Sequence, residues 1–277
     1  MNKFYIDSII KTAIDEDVNY LDISSEYIFS PEHRSEAYFL AKASGVLSGI
    51  DVAMRVFELL DDTFEYTVFK KDGEEIKNGD VIVEFSGSTT ALLKGERTAL
   101  NLIQHMSGIA TATAQAVKAV EGTKVSIADT RKTLPGLRAL QKYAVTCGGG
   151  KNHRFNLSDA AMLKDNHIDA AGGITAAVTA LRKKCGHMVN IEVETRNLDE
   201  VKEALEAGAS IIMLDNMTNE QMSQAVELVD GRALLEASGN ITAENLREKA
   251  LTGVDIISMG ALTHSVKAFD ISMKFRK

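Results

Sequence analysis

Between Asp129 and Arg154 the sequence gathers six basic side chains (Arg131, Lys132, Arg138, Lys142, Lys151 and Arg154) and His153 against a single acid. These 26 residues carry +5 in a chain of formal charge −8, so the other 251 carry −13. A guanidinium holds a carboxylate or phosphate through two parallel hydrogen bonds, and an ammonium adds a compact charge. A basic cluster in an acidic chain therefore suits a small polyanionic ligand. Arg131-Lys132 by itself would pass for a solvated loop. Gly148-Gly149-Gly150, which frees backbone amides to approach an anion, runs straight into Lys151-Asn152-His153-Arg154, and that is unusual in a plain linker.

Further candidates stand downstream. Lys164, in Lys164-Asp165-Asn166-His167, suits either a Schiff-base nucleophile or a cation for phosphate or pyrophosphate; a surface lysine at a loop start is the plain alternative. Glu194 and Asp215 offer oxygen ligands to Mg2+ or acceptors to sugar hydroxyls, although either could merely cap a helix. Ser238-Gly239-Asn240 and Gly260-Ala261-Leu262-Thr263-His264 each place small residues before a helix, a recurrent phosphate-binding arrangement. His33, His105 and His187 lack companions at metal-ligand spacing, and His33 and His187 read as surface residues. Arg97 reads as an ordinary helix-surface arginine, and the ten methionines as core filler.

The elements that must position these groups fall into two styles. Helical periodicity covers 4–16 and 50–60; Ala37–Ala43, Phe64–Phe69 and Val81–Phe85 read as strands, and a long helical stretch runs from Thr90 to about Val120 with a break near Ser107-Gly108. After Thr123, short apolar runs at 124–128, 160–163, 189–193, 209–214, 232–236 and 254–258 alternate with helices such as 198–207, ending at Gly208, and 218–229. Strand and helix in turn imply a parallel sheet, whose strands need crossover connections. Lys164, Glu194, Asp215, Ser238 and Gly260 follow successive runs at spacings of 30, 21, 23 and 22 residues, the placement expected at the C-terminal strand ends of a barrel. An open doubly wound sheet would gather ligands at one switch point behind a glycine-rich turn, and no GxGxxG or GxxxxGK[ST] occurs.

Composition narrows the classes. With 45% hydrophobic and 25% charged residues the chain has the make-up of a soluble globular protein. Its net negative charge argues against a nucleic-acid or anionic-membrane binder. Two cysteines without a CxxC pair, acids early in the N-terminal segment and the lack of an eighteen-residue apolar run lead to the expectation of a cytoplasmic protein.

The strings KGERTALNLIQHMSGIATAT (94–113), ADTRKTLPGLRALQKYAVTCGGGKNHR (128–154), LSDAAMLKDNHI (157–168), NIEVET (190–195), IIMLDN (211–216), EASGNI (236–241) and GVDIISMGALTHS (253–265) closely resemble the quinolinate phosphoribosyltransferase family, also called nicotinate-nucleotide pyrophosphorylase (carboxylating). KASGVLSGI (42–50) and DGEEIKNGDVI (72–82) fit it too. Three places depart: Tyr20-Leu21-Asp22-Ile23 stands in place of a GD-x-T segment, Asn156 within HR-x-G-L, and Asn240 within ASGG.

The resemblance implies an α/β protein, with an N-terminal α/β sandwich domain (1–107, rejoined by residues of about 267–277) and an open (β/α) barrel of six or seven strands (108–266). It implies a homodimer, or a hexamer built from it, whose active site is shared between subunits, and no nucleic-acid or membrane partner. The implied reaction joins quinolinate to 5-phosphoribosyl 1-pyrophosphate with Mg2+, giving nicotinate mononucleotide, CO2 and pyrophosphate in de novo NAD biosynthesis. By the same resemblance Arg131, Lys132, His153 and Arg154 bind quinolinate, and Arg97 comes from the partner subunit. Lys164, Glu194 and Asp215 serve the sugar-pyrophosphate and, through the two acids, the metal, directly or through substrate or water. Ser238, Gly239, Gly260 and His264 hold the 5-phosphate. Lys132, Lys164, Glu194 and Asp215 are the expected catalytic groups. The rivals are a paralogue of molybdenum-transport gene clusters, a Schiff-base aldolase on Lys164, and a non-catalytic regulatory or assembly protein built from the barrel.

Overall fold

Thirty-one consecutive residues, Thr89–Ala119, form one unbroken helix, contrary to the break expected near Ser107-Gly108. The reason lies in packing. A Cβ on Gly108 would sit 2.3 Å from the carbonyl oxygen of Lys267, and Ser107 Oγ accepts from the Ser48 amide at 3.0 Å while donating to the Ser48 carbonyl at 3.1 Å. The glycine serves close approach rather than a bend.

The computed structural model describes residues 2–277. In chain order its elements are α1 (Lys3–Asp17), α2 (Ile23–Ile28), β1 (Arg34–Ala41), β2 (Gly45–Val46), α3 (Ile50–Glu58), β3 (Glu65–Val68), β4 (Glu75–Ile76), β5 (Val81–Ser88), α4 (Thr89–Ala119) and β6 (Ser126–Ala128). There follow α5 (Arg138–Cys147), β7 (Ala161–Leu163), α6 (Asp165–Ala171), α7 (Ile174–Arg182), β8 (Ile191–Thr195), α8 (Leu198–Glu206), β9 (Ile211–Asp215), α9 (Asn219–Val229), β10 (Leu234–Ser238), α10 (Leu246–Ala250), β11 (Ile256–Ser258), α11 (Ala261–His264) and β12 (Ile271–Phe275). Among the described residues no helix is long and apolar enough to cross a membrane.

Two units result: Met1–Ala114 with Thr133–Gly149 and Leu262–Lys277, and Gln115–Lys132 with Gly150–Ala261. The first holds an antiparallel sheet in the order β12-β1-β5-β3, in which the chain's last strand pairs with β1 through Phe39 opposite Met273. Successive β1 side chains alternate between the two faces, and the inward set meets the apolar stripe of α3. Phe57 of α3 lies 6.2 Å from Phe39 of β1 and 5.1 Å from Phe85 of β5 between ring centroids, so rings join helix to sheet.

The first unit is assembled from three stretches of chain, because α5 packs with it. Tyr143 Oη donates to Asp72 Oδ2 at 2.9 Å, the buried Gln141 Nε2 lies 2.8 Å from His105 Nε2, and a Cβ on Gly148 would meet the Ala110 carbonyl at 2.4 Å. The first residue of the glycine triplet therefore allows two helices to approach. Lys142, counted in the basic cluster, is 2% exposed on this helix.

The second unit is the expected (β/α) repeat with six parallel strands in the order β6-β11-β10-β9-β8-β7. Among the described residues β6 and β7 share no ladder, and the barrel is open there. Lys151 pairs with Ala128 as a single parallel bridge and thereby carries the Lys151–Arg154 segment beside β6. One face of the strands is apolar, and its Val193, Ile212, Leu214 and Ala237 are fully buried; the other face carries Glu192, Glu194, Asp215, Glu236 and Ser238. Asn197 caps α8 by accepting from the Glu200 amide, and Thr218 with Gln221 forms a reciprocal cap on α9.

Candidate functional site

β8, β9 and β10 end one or two residues later than their apolar runs, so Glu194, Asp215 and Ser238 are the last or next-to-last residues of these strands rather than loop residues. Strand pairing fixes them in rows. Ser238 stands opposite Asp215, and Glu194 opposite Met213. The C-terminal strand ends enclose a cavity of about 290 Å³ whose lining brings together Arg131, Lys132, His153, Arg154, Lys164, Glu194, Asp215 and Ser238. Gly239 and Gly260 lie just beyond β10 and β11. Arg97 and His264 belong to the first unit, where Arg97 is exposed on α4 and His264, ending α11, has Nδ1 2.5 Å from Ser265 Oγ.

The cationic wall is held by backbone. Lys132 N–H donates to Thr130 Oγ1 at 3.0 Å, and Arg154 Nη1 donates to the Ala160 carbonyl at 2.9 Å. The Nε atoms of Arg131 and Arg154 are buried and, among the described residues, have no hydrogen-bond partner. Burial and the neighbouring Arg131 charge both lower the Arg154 pKa, with Glu192 opposing. Two half-buried guanidiniums with unspent Nε donors favour an incoming anion. Lys151, by contrast, points to another cavity, at the opposite strand ends.

Across from this wall, Lys164 Nζ is 3.7 Å from Glu194 Oε2. Burial pushes the Glu194 carboxyl up, Lys164 opposes the shift, and Asp215 adds to it. A Schiff-base role for Lys164 would call for an ammonium deprotonated by burial; instead its side chain is 51% exposed beside a carboxylate. The two mutually repelling carboxylates on neighbouring strands, in a water-accessible mouth, fit a hard divalent ion that keeps part of its water shell.

The three departures now have local explanations. Asp22 caps α2 by accepting from the Ser24 and Ser25 amides. Asn156 closes a small turn by accepting from the Ser158 amide at 2.8 Å. Asn240 adopts a left-handed φ of 49°, which asparagine tolerates, and its Nδ2 donates to Asn216 Oδ1 at 3.0 Å. Asn216 in turn donates to Asp215 Oδ2 at 2.8 Å, so the Ser238-Gly239-Asn240 turn is tied to the Asp215 carboxylate. Gly239 at φ 93° leaves no room for a Cβ, which would fall 2.3 Å from Asn216 Oδ1.

Beneath the mouth lies a group that the pattern of strand-end residues did not disclose. His153 Nε2 donates to Glu192 Oε2 at 3.0 Å and lies 3.6 Å from Glu236 Oε1. The two glutamate side chains are 5% and 2% exposed, and Glu192 Oε1 and Glu236 Oε1 have no hydrogen-bond partner among the described residues. His153 Nδ1 accepts from the Arg154 amide at 2.8 Å, which turns Nε2 toward the two carboxyl groups. A metal-bound histidine normally donates from its second nitrogen, so this arrangement is a hydrogen-bonded acid cluster rather than a metal centre. The available signal was alternation: Glu192 and Glu236 stand two residues before Glu194 and Ser238, on the same strand face, as charges inside buried strands.

With this geometry in place, comparison identifies relatives. The family described as quinolinate phosphoribosyl transferase, C-terminal domain, matches residues 109–274, and the corresponding N-terminal domain matches residues 22–107. A probable nicotinate-nucleotide pyrophosphorylase (carboxylating) of Bacillus subtilis is 46% identical over 99% of this chain and 94% of its own length. A protein of the same description from Synechocystis is 44% identical over 97% and 92%. The crystal structure of NadC from Streptococcus pyogenes superposes with a TM-score of 0.96 at 44% identity, covering 100% of this chain and 99% of that one.

Proposed function

Because the chain belongs to the quinolinate phosphoribosyl transferase family, we propose that it joins quinolinate to 5-phosphoribosyl 1-pyrophosphate and decarboxylates the adduct, giving nicotinate mononucleotide, CO2 and pyrophosphate for NAD biosynthesis. One observation carries the reading at the site: Arg131, Lys132 and Arg154 line the same cavity as Glu194 and Asp215. Quinolinate is a dianion with adjacent carboxylates, and the half-buried guanidiniums supply both charge and orientation. The ring nitrogen attacks the anomeric carbon of the ribose as pyrophosphate departs. The carboxylates of Glu194 and Asp215 accept from the ribose hydroxyls and favour the positive charge that develops on the sugar, while Lys164 faces the departing phosphates. The turns at Ser238-Gly239 and Gly260 offer backbone amides to the 5-phosphate. When the adjacent carboxylate then departs as CO2, its electron pair stays on C2, where the positive charge of the neighbouring pyridinium nitrogen stabilises it until a proton is added. Positioning accounts for most of the acceleration.

Glu194 and Asp215 would hold Mg2+, directly or through substrate or water, and the ion would supply neutralising charge to the pyrophosphate. We further assign a homodimer in which Arg97, exposed on α4, reaches the partner's site, and the free cysteines Cys147 and Cys185 favour a reducing cytoplasmic setting. The test is direct: protein, quinolinate, phosphoribosyl pyrophosphate and Mg2+ are expected to yield nicotinate mononucleotide. No product, with nicotinic acid also tried as acceptor, overturns the reading.

A further inference from the structure

The buried acid cluster lies between two cavities. Below the site, the N-terminal strand ends enclose a larger space of about 580 Å³ lined by Ser126, Asn190, Leu234 and Asp255 among others. His153, Arg154 and Glu236 line both this space and the substrate cavity. A carboxyl group that borders the substrate on one side and a solvent-connected cavity on the other is placed to pass protons between them.

The reaction needs such a group. Resting on the function proposed above, the step after ribose attachment breaks the bond between C2 of the ring and its carboxylate carbon. CO2 leaves, and the electron pair stays on C2 as a carbanion beside the pyridinium nitrogen. Until a proton arrives, CO2 can add back. The arginines cannot supply the proton, because guanidinium does not deprotonate in proteins.

We propose that the Glu236 carboxyl gives C2 its proton after CO2 has left, while Glu192 and His153 act as positioning residues and the cavity at the N-terminal strand ends returns a proton from water. The C2–H bond forms as the Glu236 O–H bond breaks; the carboxylate left behind then takes up a proton from the lower cavity. Overall, the dicarboxylate mononucleotide and one proton become nicotinate mononucleotide and CO2. The hydrogen bond from the Arg154 amide holds His153 with Nε2 toward Glu192, which fixes the imidazole beside Glu236. The groups facing Glu236 are Glu192 from β8, His153, Asp129 at the end of β6 and the Ser258 hydroxyl from β11; burial, then the Glu192 charge, pushes its carboxyl up to about 7, with His153 opposing.

The experiment is a single-turnover assay of Glu236→Gln beside wild type, following pyrophosphate release and both mononucleotides. Wild-type turnover establishes the underlying reading, and its absence would defeat that reading rather than this one. In the variant, the pyrophosphate burst is expected to persist, quinolinate KM to stay within about twofold, and decarboxylation to slow by about 10²-fold so that the dicarboxylate mononucleotide accumulates. Decarboxylation at the wild-type rate, or a rise in KM without accumulation, overturns the proposal. A second measurement needs no variant. Across a pH series the wild-type decarboxylation rate should fall as pH rises through about 7, whereas a lysine donor would hold it level to about pH 10; a level profile refutes the role of Glu236.

Discussion

Arg131 and Arg154 were legible as ligand-binding residues because two cations next to a glycine-rich turn are an uncommon juxtaposition in an acidic chain. Their energetic part is testable. A buried charged hydrogen bond is worth about 1.5–3 kcal/mol, so Arg131→Ala should raise quinolinate KM by about 10- to 100-fold in steady-state kinetics while the circular dichroism spectrum is unchanged. Arg131→Lys should recover only part of this, since an ammonium cannot make the paired contact. Glu192 and Glu236 were not legible, because a glutamate in a short strand looks like a solvent-facing residue until the barrel closes around it. Their burial has a consequence for stability. The folded Glu236 carboxyl keeps a proton that an unfolded glutamate releases above its ordinary value of 4.5, so the native state loses stability as pH rises from there to about 7 and has lost all of this increment above it. Glu236→Gln is therefore expected to melt several degrees higher than wild type at pH 8, an effect on the order of 2–3 kcal/mol, and at nearly the same temperature at pH 4.5. Equal melting temperatures at pH 8 would show that Glu236 carries no such burden.

The parallel repeat of the second unit could be read directly from its spacing, since each strand and helix announces itself through local periodicity and each strand end carries its polar residue at a regular interval. What local patterns could not convey was partnership. The helix α5 sits in the most basic stretch of the chain, yet its buried residues Leu140, Ala144 and Val145 and its bonds to Asp72 and His105 place it with the first unit. The continuity of α4 is the same lesson in one residue. Helix propensity alone predicts that Gly108→Ala stabilises α4 by about 1 kcal/mol. The approach of the Lys267 carbonyl predicts the opposite sign, because the new Cβ would lie 2.3 Å from a backbone oxygen. We expect Gly108→Ala to lower stability by about 1–3 kcal/mol in urea denaturation, the range typical of forced steric overlap in a packed interior. A more stable variant would mean that the glycine is only a weak point in the helix.

At the scale of the whole molecule the open matter is what completes the substrate cavity. The residues that line it come from one unit of one chain, whereas Arg97 stands exposed on α4 of the other unit. A twofold assembly gives each copy of such a residue an equivalent destination on its partner, because the same patch is presented by both subunits. The proposed homodimer therefore predicts complementation between two inactive variants. Arg97→Ala retains an intact cation wall but lends a defective side chain to its partner; Arg131→Ala lends an intact Arg97 but has a defective wall. Mixed after unfolding and refolding together, the two chains should form about half heterodimers, in each of which one site combines an intact wall with an intact Arg97 and the other has neither. One site in four is then whole, and activity should return to about one quarter of wild type, with a native quinolinate KM for the recovered fraction. If every site were built from a single chain, both kinds of subunit would stay defective in any mixture, and no activity would return however the chains were combined.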